Sequence, residues 1–331
     1  MLNRIIICLL FLSVISCKTE PKTVIPGAET TGDTDIDAVT KAISKNTGDA
    51  ALYYERAKLF YDRKNYDRAI EDLASSMKID SISALSHHLL TDVYLDYFQS
   101  RKALSTMERA ARLHPTRIET LLKLCEVQYI LKQYAQSKLT VNNILKLDRE
   151  NAEAYLMLGL NFRDEGDFNR AVNSFQTSVE LDPELVDAWI MLGDLYANNN
   201  EESAISFYDN ALTVDPQSIA ALHSKAFYLQ NNDLLTEAIA EYDKIKQIDK
   251  NYEDAYLNSG ILYMEMDSID RAFQEFNIMV GVKPESHLGY YYRGLANESL
   301  GKLEDAKNDY TSCLNLRRGF KKAKEALERL K

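Results

Sequence analysis

The sequence predicts an all-α protein in which one unit recurs along most of its 331 residues. Gly (12) and Pro (6) are scarce and Tyr (20) is abundant, which disfavours a turn-rich all-β fold and favours long helices. A small residue recurs at Ala69, Ala103, Ser137, Ala171, Ala204, Ala238, Ala272 and Ala306. The intervals are 34 residues, with one of 33, so the chain is a tandem repeat.

The first 17 residues have the pattern of an export signal. Arg4 precedes an apolar run over residues 5–15, which is too short to span a bilayer and suits the core of a signal peptide. The run ends in the letters VISC at residues 14–17. This ending resembles the lipobox of bacterial lipoproteins, in which the leader is cut before the Cys and the thiol carries diacylglycerol. An ordinary secretory leader with an incidental Cys17 is the alternative, because Ser16 suits both kinds of cleavage.

A lipid on Cys17 implies a protein of the bacterial cell envelope, with residues 1–16 removed as the signal peptide. Lys18 stands where lipoproteins retained in the enterobacterial inner membrane carry Asp, so an outer-membrane location facing the periplasm is expected. Residues 17–49 are rich in Thr, Pro, Gly and Asp and are predicted to form the lipidated end and a flexible tether. Within that stretch, a short helix near residues 36–45 could pack onto the first repeat.

Eight repeats are predicted over residues 50–320, followed by a capping helix over residues 321–331. The repeats span residues 50–83, 84–117, 118–151, 152–185, 186–218, 219–252, 253–286 and 287–320. The first residue of each is numbered position 1 below, and the fifth repeat lacks one residue in its turn, at residues 198–201. The capping helix carries its apolar residues on one side: Ala323, Ala326, Leu327 and Leu330.

The unit resembles the tetratricopeptide repeat, a helix-turn-helix motif. Small residues recur at positions 8 and 20, large ones at positions 4 and 24, and prolines at position 32 of four repeats. The fourth repeat carries most of the signature: Tyr155, Leu158, Gly159, Phe162, Gly166, Asp167, Phe168, Ala171, Phe175 and Pro183. The resemblance implies an α-α superhelix, a solenoid in which the first helix of every repeat lines the concave wall.

Departures from this pattern give local expectations. Position 7 is polar in four repeats, at Arg56, Lys225, Ser259 and Arg293. The third repeat is predicted to be the weakest, because it carries Cys125, Gln128 and Ser137 where small, aromatic and Ala residues are usual. Ser137→Ala is therefore expected to stabilise the fold. Trp189→Ala is expected to destabilise it by about 3–5 kcal/mol. Cys125 and Cys313 are predicted to be small buried residues.

No catalytic residue, metal ligand or cofactor is predicted. The five His residues show no metal-binding spacing, and no Gly-rich loop, GxSxG or CxxC motif occurs. The formal charge of −11 disfavours nucleic acid as a partner, because an acidic protein repels the phosphate backbone.

Function is expected on the concave wall, at positions 2, 5, 9 and 12 of each repeat. These positions are mainly large and apolar or acidic, with Lys58 and Arg163 as the basic exceptions. Packing between neighbouring first helices is the alternative role for the residues at position 5. The candidate groove residues are Asp92, Glu126, Leu160, Asp194, Phe227, Ile261, Tyr291 and Leu295.

The sequence thus predicts a non-catalytic scaffold or adaptor, anchored to the membrane by its N-terminal lipid. An apolar groove with acidic neighbours suits a basic and apolar segment of another protein or peptide. A carbohydrate- or peptidoglycan-binding lipoprotein is the alternative, with sugars stacking on groove aromatics: Tyr54, Tyr61, Tyr129, Tyr291 and Tyr292.

Overall fold

A computed structural model describes residues 31–331, so the predicted leader and Cys17 lie outside the described residues. The described part contains 18 helices and no strand, which confirms the all-α class. Two compact units divide the chain inside one helix, the first ending at Val127 and the second beginning at Gln128.

Helices alternate as the first and second members of successive pairs. The first members are α2 (Ala50–Asp62), α4 (Ala84–Asp96), α6 (Ile118–Ile130), α8 (Ala152–Asp164), α10 (Val186–Asn198), α12 (Ile219–Asn231), α14 (Glu253–Glu265) and α16 (His287–Ser299). The second members are α3 (Tyr66–Ile79), α5 (Ser100–Leu113), α7 (Tyr134–Leu147), α9 (Phe168–Leu181), α11 (Ala204–Val214), α13 (Leu235–Ile248), α15 (Ile269–Val282) and α17 (Leu303–Leu316). Each first helix starts at the residue that opens a predicted repeat.

A further helix, α1 (Thr34–Lys45), precedes the pairs. Asp33 caps it, because its side chain accepts hydrogen bonds from the backbone N–H groups of Asp35 and Ile36. Ile36 and Ile43 are buried, and Ile36 packs in the same cluster as residues of α2 and α3. The short helix that the sequence left open near residues 36–45 is therefore present over residues 34–45, where the buried isoleucines fix it on the first repeat, so the tether predicted for residues 17–49 does not include this segment.

Another helix, α18 (Lys321–Arg329), follows the last pair. Ala323 and Ala326 are buried and share a cluster with Tyr310 and Cys313 of α17. Arg329 donates hydrogen bonds of 2.9 Å to both carboxylate oxygens of Glu298 in α16. The small residues let α18 approach α17 closely, while its charged residues face solvent.

Aspartates close the turns between repeats. The carboxylate of Asp148 accepts a hydrogen bond of 3.1 Å from the backbone N–H two residues later. The carboxylates of four other boundary aspartates accept the same hydrogen bond: Asp80, Asp182, Asp215 and Asp249. These carboxylates therefore act as local turn formers, because an Asp side chain can satisfy a backbone N–H that the helix leaves open.

The crossing of the two helices within a repeat is close where position 8 is glycine. A Cβ added at Gly159 would lie 2.4 Å from the ring of Phe175, which is at position 24 and fully buried. The same relation holds for three further pairs: Gly193 with Tyr208, Gly260 with Phe276, and Gly294 with Tyr310. Glycine at position 8 thus makes room for an aromatic ring at position 24.

Buried ion pairs explain the polar residues at position 7. Arg56 donates two hydrogen bonds of 2.7 Å to Asp72 at position 23, and both side chains are almost fully buried. The corresponding residues pair in two other repeats, Lys225 with Glu241 at 3.1 Å and Arg293 with Asp309 at 2.6 Å. These repeats replace an apolar contact between their two helices by a charged one.

In the seventh repeat, the cation that pairs with the carboxylate at position 23 comes from the preceding repeat. Position 7 is Ser259, and position 23 is Glu275. Lys246, from the second helix of the preceding repeat, lies 2.9 Å from the carboxylate of Glu275 and 3.4 Å from the hydroxyl of Ser259. Position 23 is a carboxylate in four repeats, and each of these four carboxylates has a cationic partner.

Ser137 in the third repeat has a specific polar partner. The Nδ2 group of Asn161 donates hydrogen bonds to the Ser137 hydroxyl at 2.9 Å and to the Met157 carbonyl at 2.6 Å. Both Ser137 and Asn161 are fully buried. This contact argues against the expectation that Ser137→Ala stabilises the fold, because the hydroxyl accepts a hydrogen bond from a buried amide N–H.

We now expect Ser137→Ala to destabilise the second unit by about 1–3 kcal/mol, the cost of a buried donor left without its partner. Adding Asn161→Val should recover most of this loss, since it restores the apolar pairing found at Ala69 and Val93. Hydrogen exchange of α7 and α8 checks both variants. Equal or slower exchange in Ser137→Ala alone would contradict the assignment.

Candidate functional site

The second unit contains a pocket of about 480 Å³ that first helices line. Its walls come from α8, α10 and α12, with one residue of α11 and the turn after α10. The lining residues are Arg163, Asp194, Ala197, Asn198, Asn200, Tyr208, His223, Ser224, Phe227, Tyr228, Asn231 and Asn232. Two predicted groove residues, Asp194 and Phe227, thus meet in one cavity.

Asp194 is engaged by neighbouring side chains within the fold. Its carboxylate accepts a hydrogen bond of 2.9 Å from the hydroxyl of Tyr208. Burial raises the pKa of Asp194, and hydrogen bonds from Tyr208 and Ser224 offset part of that rise. Much of its hydrogen-bonding capacity is used inside the protein, so Asp194 is a weaker steering charge than the sequence suggests.

Arg163, the cation of the pocket, is also held by the fold. Its guanidinium donates to Asp164 at 2.9 Å, to the hydroxyl of Tyr129 at 2.8 Å and to the sulfur of Met191 at 3.0 Å. The ion pair with Asp164 neutralises its charge locally. Arg163 therefore adds little net positive charge to the pocket.

Three residues that line the pocket carry free carboxamides. Asn198, Asn200 and Asn231 are exposed, and none of their side chains makes a hydrogen bond within the described residues. Each carboxamide offers two donors and an acceptor. Asn198 and Asn200 lie here because α11 begins at Ala204, which leaves an irregular segment after α10. The missing residue of the fifth repeat is visible in the sequence, but the repeat pattern does not show that it shortens α11 or that the asparagines before α11 line a pocket.

An apolar strip adjoins the pocket at position 9 of three successive repeats. Phe227 in α12 is 52% exposed, which is unusual for a large aromatic residue in a packed helix array. Ile261 in α14 and Leu295 in α16 are partly exposed. Leu160 in α8 is partly buried and packs against the core cluster of the fourth and fifth repeats. These side chains supply the apolar surface expected of the groove.

Tyr291 is placed differently from the prediction. It is 9% exposed, and its ring packs 5.1 Å from the rings of Tyr292 and Phe320. It belongs to the core cluster that contains Tyr310 and α18. Its position-5 side chain thus packs between helices, the alternative role that the sequence left open.

The first unit contains the other two predicted groove residues, Asp92 and Glu126. Lys123 lies 2.6 Å from the Asp92 carboxylate and 3.9 Å from that of Glu126. Lys123 is at position 6, outside the four positions used to predict the wall, so this cation was missed. Its charge reduces the negative potential that the two carboxylates would otherwise create.

Three of the five tyrosines proposed for glycan stacking are engaged in the fold. The hydroxyls of Tyr61 and Tyr129 donate to Asp96 and Asp164, both at 2.8 Å. Tyr291 is buried, as described above. Since stacking on a sugar needs an exposed ring face, burial removes Tyr291 from the glycan alternative, whereas the hydroxyl contacts of Tyr61 and Tyr129 do not cover their ring faces.

The described residues also show neither a metal-binding cluster nor a membrane-spanning helix. Among residues 31–331, no group of three His, Cys, Asp or Glu side chains is arranged to hold a metal ion. No helix in that same part of the chain is long and apolar enough to cross a membrane. Cys125 and Cys313 are both buried, as predicted.

Part of the chain matches the sequence model of a repeat family. A sequence model described as "Tetratricopeptide repeat" matches residues 156–219, from α8 to the start of α12. The match supports the tetratricopeptide repeat family. Within the matched residues, Arg163, Asp194, Asn198 and Asn200 line the pocket.

Relatives and solved structures agree on the fold. The chain is 23% identical over 286 residues to a DnaJ homolog subfamily C member 7 homolog of Dictyostelium discoideum, covering 81% of this chain and 51% of that protein. The chain spans less than two thirds of the length of the curated relatives that it resembles. A chain of the APC/C hetero-tetramer Cut9–Hcn1 is similar, with a TM-score of 0.52, 14% identity, and coverage of 89% of this chain and 58% of that one. PilF of Pseudomonas aeruginosa is similar with a TM-score of 0.53, 13% identity, and coverage of 64% and 97%.

Proposed function

We propose that this protein is a non-catalytic adaptor that binds an extended segment of another protein across the pocket and the adjoining strip. The observation that carries the proposal is the pocket of about 480 Å³, which an exposed Phe227 and free carboxamides line together. Repeat folds of this class typically act as protein-interaction scaffolds, because stacked helices present long concave surfaces.

The carboxamides determine how such a segment would be held. An extended peptide presents alternating N–H and C=O groups, and the side chains of Asn198 and Asn231 can accept from the first and donate to the second. Phe227 supplies an apolar contact for a side chain beside those bonds, and Ile261 and Leu295 extend it into later repeats. This division gives affinity through the backbone and selectivity through side chains.

Charge favours a partner segment that is basic as well as apolar. Glu153, Asp187 and Asp254, at position 2 of α8, α10 and α14, are exposed and make no ion pair within the described residues. Position 2 lies on the same helix face as positions 5, 9 and 12, so these carboxylates border the wall. We therefore assign electrostatic steering of the partner to these three carboxylates. Asp92, Glu126 and Asp194 are less suited to it, because they have partners in the fold.

Cross-linking in cells tests the binding surface directly. A photoreactive amino acid at Phe227 is expected to yield a discrete adduct. The same group at Ile278, which is 45% exposed on the second helix α15, should not. Reversal of Glu153, Asp187 and Asp254 to Lys should reduce the Phe227 adduct while leaving the helical spectrum intact. Equal adducts from both positions would place the interaction elsewhere.

The location proposed for this adaptor is the bacterial cell envelope, most simply the periplasmic face of the outer membrane. Support comes from the apolar run and the Ser16–Cys17 ending of the N-terminal sequence. A diacylglycerol group on Cys17, with a further acyl chain, would give stable anchoring, since each buried methylene contributes about 0.8 kcal/mol.

Replacing the proposed lipid acceptor tests the anchor. We expect Cys17→Ala to abolish incorporation of labelled fatty acid and to shift exported protein from the membrane pellet to the soluble fraction. Cys313→Ala is the matched control, because Cys313 is fully buried in the last repeat and should not affect labelling. Retention of the unlabelled Cys17→Ala protein in a salt-washed pellet would point to an uncleaved leader or a protein anchor.

A further inference from the structure

The turn between α4 and α5 carries an aromatic residue in a conformation that disfavours it. Each repeat has a left-handed residue at position 15, with φ between 55° and 80°. Seven of these residues are Lys64, Lys132, Gly166, Asn200, Asp233, Asp267 and Gly301. The eighth is Phe98, with φ of 56°. Bulky side chains rarely adopt this region, because Cβ crowds the backbone.

No packing contact of Phe98 compensates for this unfavourable backbone conformation. It is 93% exposed, and none of the ring contacts among the described residues involves it. Its neighbour Tyr97 is 37% exposed and lies 5.4 Å from the ring of Tyr66. A strained, solvent-exposed aromatic residue at the end of an aromatic cluster is a feature of interaction sites.

The helix that follows presents a basic outer face. The α5 helix carries four cations and one acid, which gives a net charge of +3 in a chain of −11. All four cations are exposed: Arg101, Lys102, Arg109 and Arg112. The buried face of α5 consists instead of small and apolar residues, Ala103, Met107 and Ala110. Helical periodicity therefore separates charge from core across this helix.

These cations are available to an external anion. Arg101, Arg109 and Arg112 form no ion pair with any described residue, and Lys102 lies 5.4 Å from the ring centre of Tyr94. The second basic stretch of the chain, residues 317–331, lacks an equivalent aromatic, because Phe320 packs against Tyr291. Among residues 31–331, the combination of these free cations with an exposed aromatic residue is thus found in the second repeat.

We propose that the α4–α5 turn and the outer face of α5 dock on a lipid surface with anionic headgroups. Phe98 would enter the boundary between headgroups and acyl chains, and the four cations would contact lipid phosphates. An acidic protein would match the cations, but an almost fully exposed aromatic residue beside them fits the amphipathic membrane interface better.

The proposal takes its membrane from the lipid anchor proposed above. Residues 17–33 can span at most about 55 Å, so a lipid on Cys17 would keep the start of α1, which packs on the first repeat, within that distance of a bilayer. Docking through α5 would then orient the first unit on the membrane, which the anchor by itself would not do.

Tryptophan placed at the contact provides the test. The full-length lipidated chain, with Trp189→Phe and Phe98→Trp, is reconstituted in phosphatidylcholine vesicles with and without phosphatidylglycerol. Emission from position 98 is expected to shift to the blue and to be quenched by brominated acyl chains only when phosphatidylglycerol is present. Asp267→Trp is the matched control, since Asp267 occupies the same turn position with φ of 55°. It should not be quenched.

Charge reversal tests the basic face separately. Reversing Arg101, Arg109 and Arg112 to Glu should abolish quenching at position 98, because each cation contributes about fivefold to affinity for an anionic surface. Reversing Arg318, Lys322 and Lys324, which are equally exposed, should not. Absent quenching in anionic vesicles, equal quenching in neutral vesicles, or equal quenching at position 267 would each overturn the proposal, the first favouring an acidic protein partner.

Two further measurements keep the outcomes distinct. Flotation of the protein with the vesicles reports the lipid anchor, so an anchored but unquenched protein refutes the docking face alone. Phe98→Asn should unfold at the same temperature or a higher one, because Asn tolerates a positive φ. A lower temperature would assign Phe98 a structural role and overturn the proposal.

Discussion

Arg56→Ala is expected to destabilise the first unit by about 3–5 kcal/mol, because it leaves a buried carboxylate without its cation. The Arg56 and Asp72 side chains are 0% and 2% exposed, so water cannot replace the lost guanidinium. Arg56 also donates a hydrogen bond of 3.0 Å to the hydroxyl of Thr40, which ties α1 to the first repeat. The loss should therefore loosen α1, α2 and α3 together.

The chain itself supplies the compensating variant. In the second repeat, positions 7 and 23 are Leu90 and Thr106, an uncharged solution to the same contact. Arg56→Leu combined with Asp72→Thr should recover most of the stability, because well-packed apolar residues often replace a buried pair at little cost. Arg56→Leu alone should remain as unstable as Arg56→Ala.

Hydrogen exchange is the appropriate measurement, since repeats contact mainly their neighbours and unfolding need not be two-state. Faster exchange should be confined to α1–α3 and leave α16 unchanged. Arg68→Ala is the matched control: its pair with Glu71 is 3.5 Å long and exposed, so its removal should cost less than about 1 kcal/mol. Wild-type exchange in Arg56→Ala would refute the importance of the pair.

Local spacing carries most of the information about the fold. The recurrence of small residues sets the register, and the prolines mark where second helices end: α5, α9, α11 and α15 each stop two residues before one. The ion pairs cannot be foreseen in the same way. Arg56, Lys225 and Arg293 are visible in the sequence only as departures, because their partners lie 16 residues away on the facing helix.

The candidate site is predictable in part for a related reason. Helical periodicity identifies Asp194 and Phe227 as wall residues, and the structure places both in the pocket. It cannot reveal that Tyr208, from a second helix, reaches the Asp194 carboxylate, or that Lys123 lies between two acids. Contacts between different helices decide which charges remain free, and a single-helix pattern does not contain them.

Trp189 is less deeply buried than its place in the repeat predicts. It is only partly buried, and its indole N–H donates a hydrogen bond of 2.8 Å to the Pro183 carbonyl near the surface. The fully buried aromatics are instead at position 24, with Phe175 and Phe276 among them. The largest buried side chains of these repeats are at position 24, because glycine at position 8 makes room for the ring.

Phe175→Ala should consequently destabilise the second unit by about 3–5 kcal/mol, the usual cost of a large cavity in a packed core. Gly159→Ala should destabilise it by about 1–3 kcal/mol for the opposite reason, since the new methyl would overlap the Phe175 ring at 2.4 Å. Trp189→Ala should cost less than Phe175→Ala, because part of its surface is already in water.

The two core substitutions should compensate when the ring is shortened instead of removed. Gly159→Ala with Phe175→Leu reproduces the pairing of Ala57 and Leu73 in the first repeat, where both residues are fully buried. The double variant should thus be more stable than either Gly159→Ala or Phe175→Ala. Urea unfolding and hydrogen exchange of α8 and α9 measure this coupling. Strict additivity of Gly159→Ala and Phe175→Leu would show that the methyl and the ring do not compete for the same space.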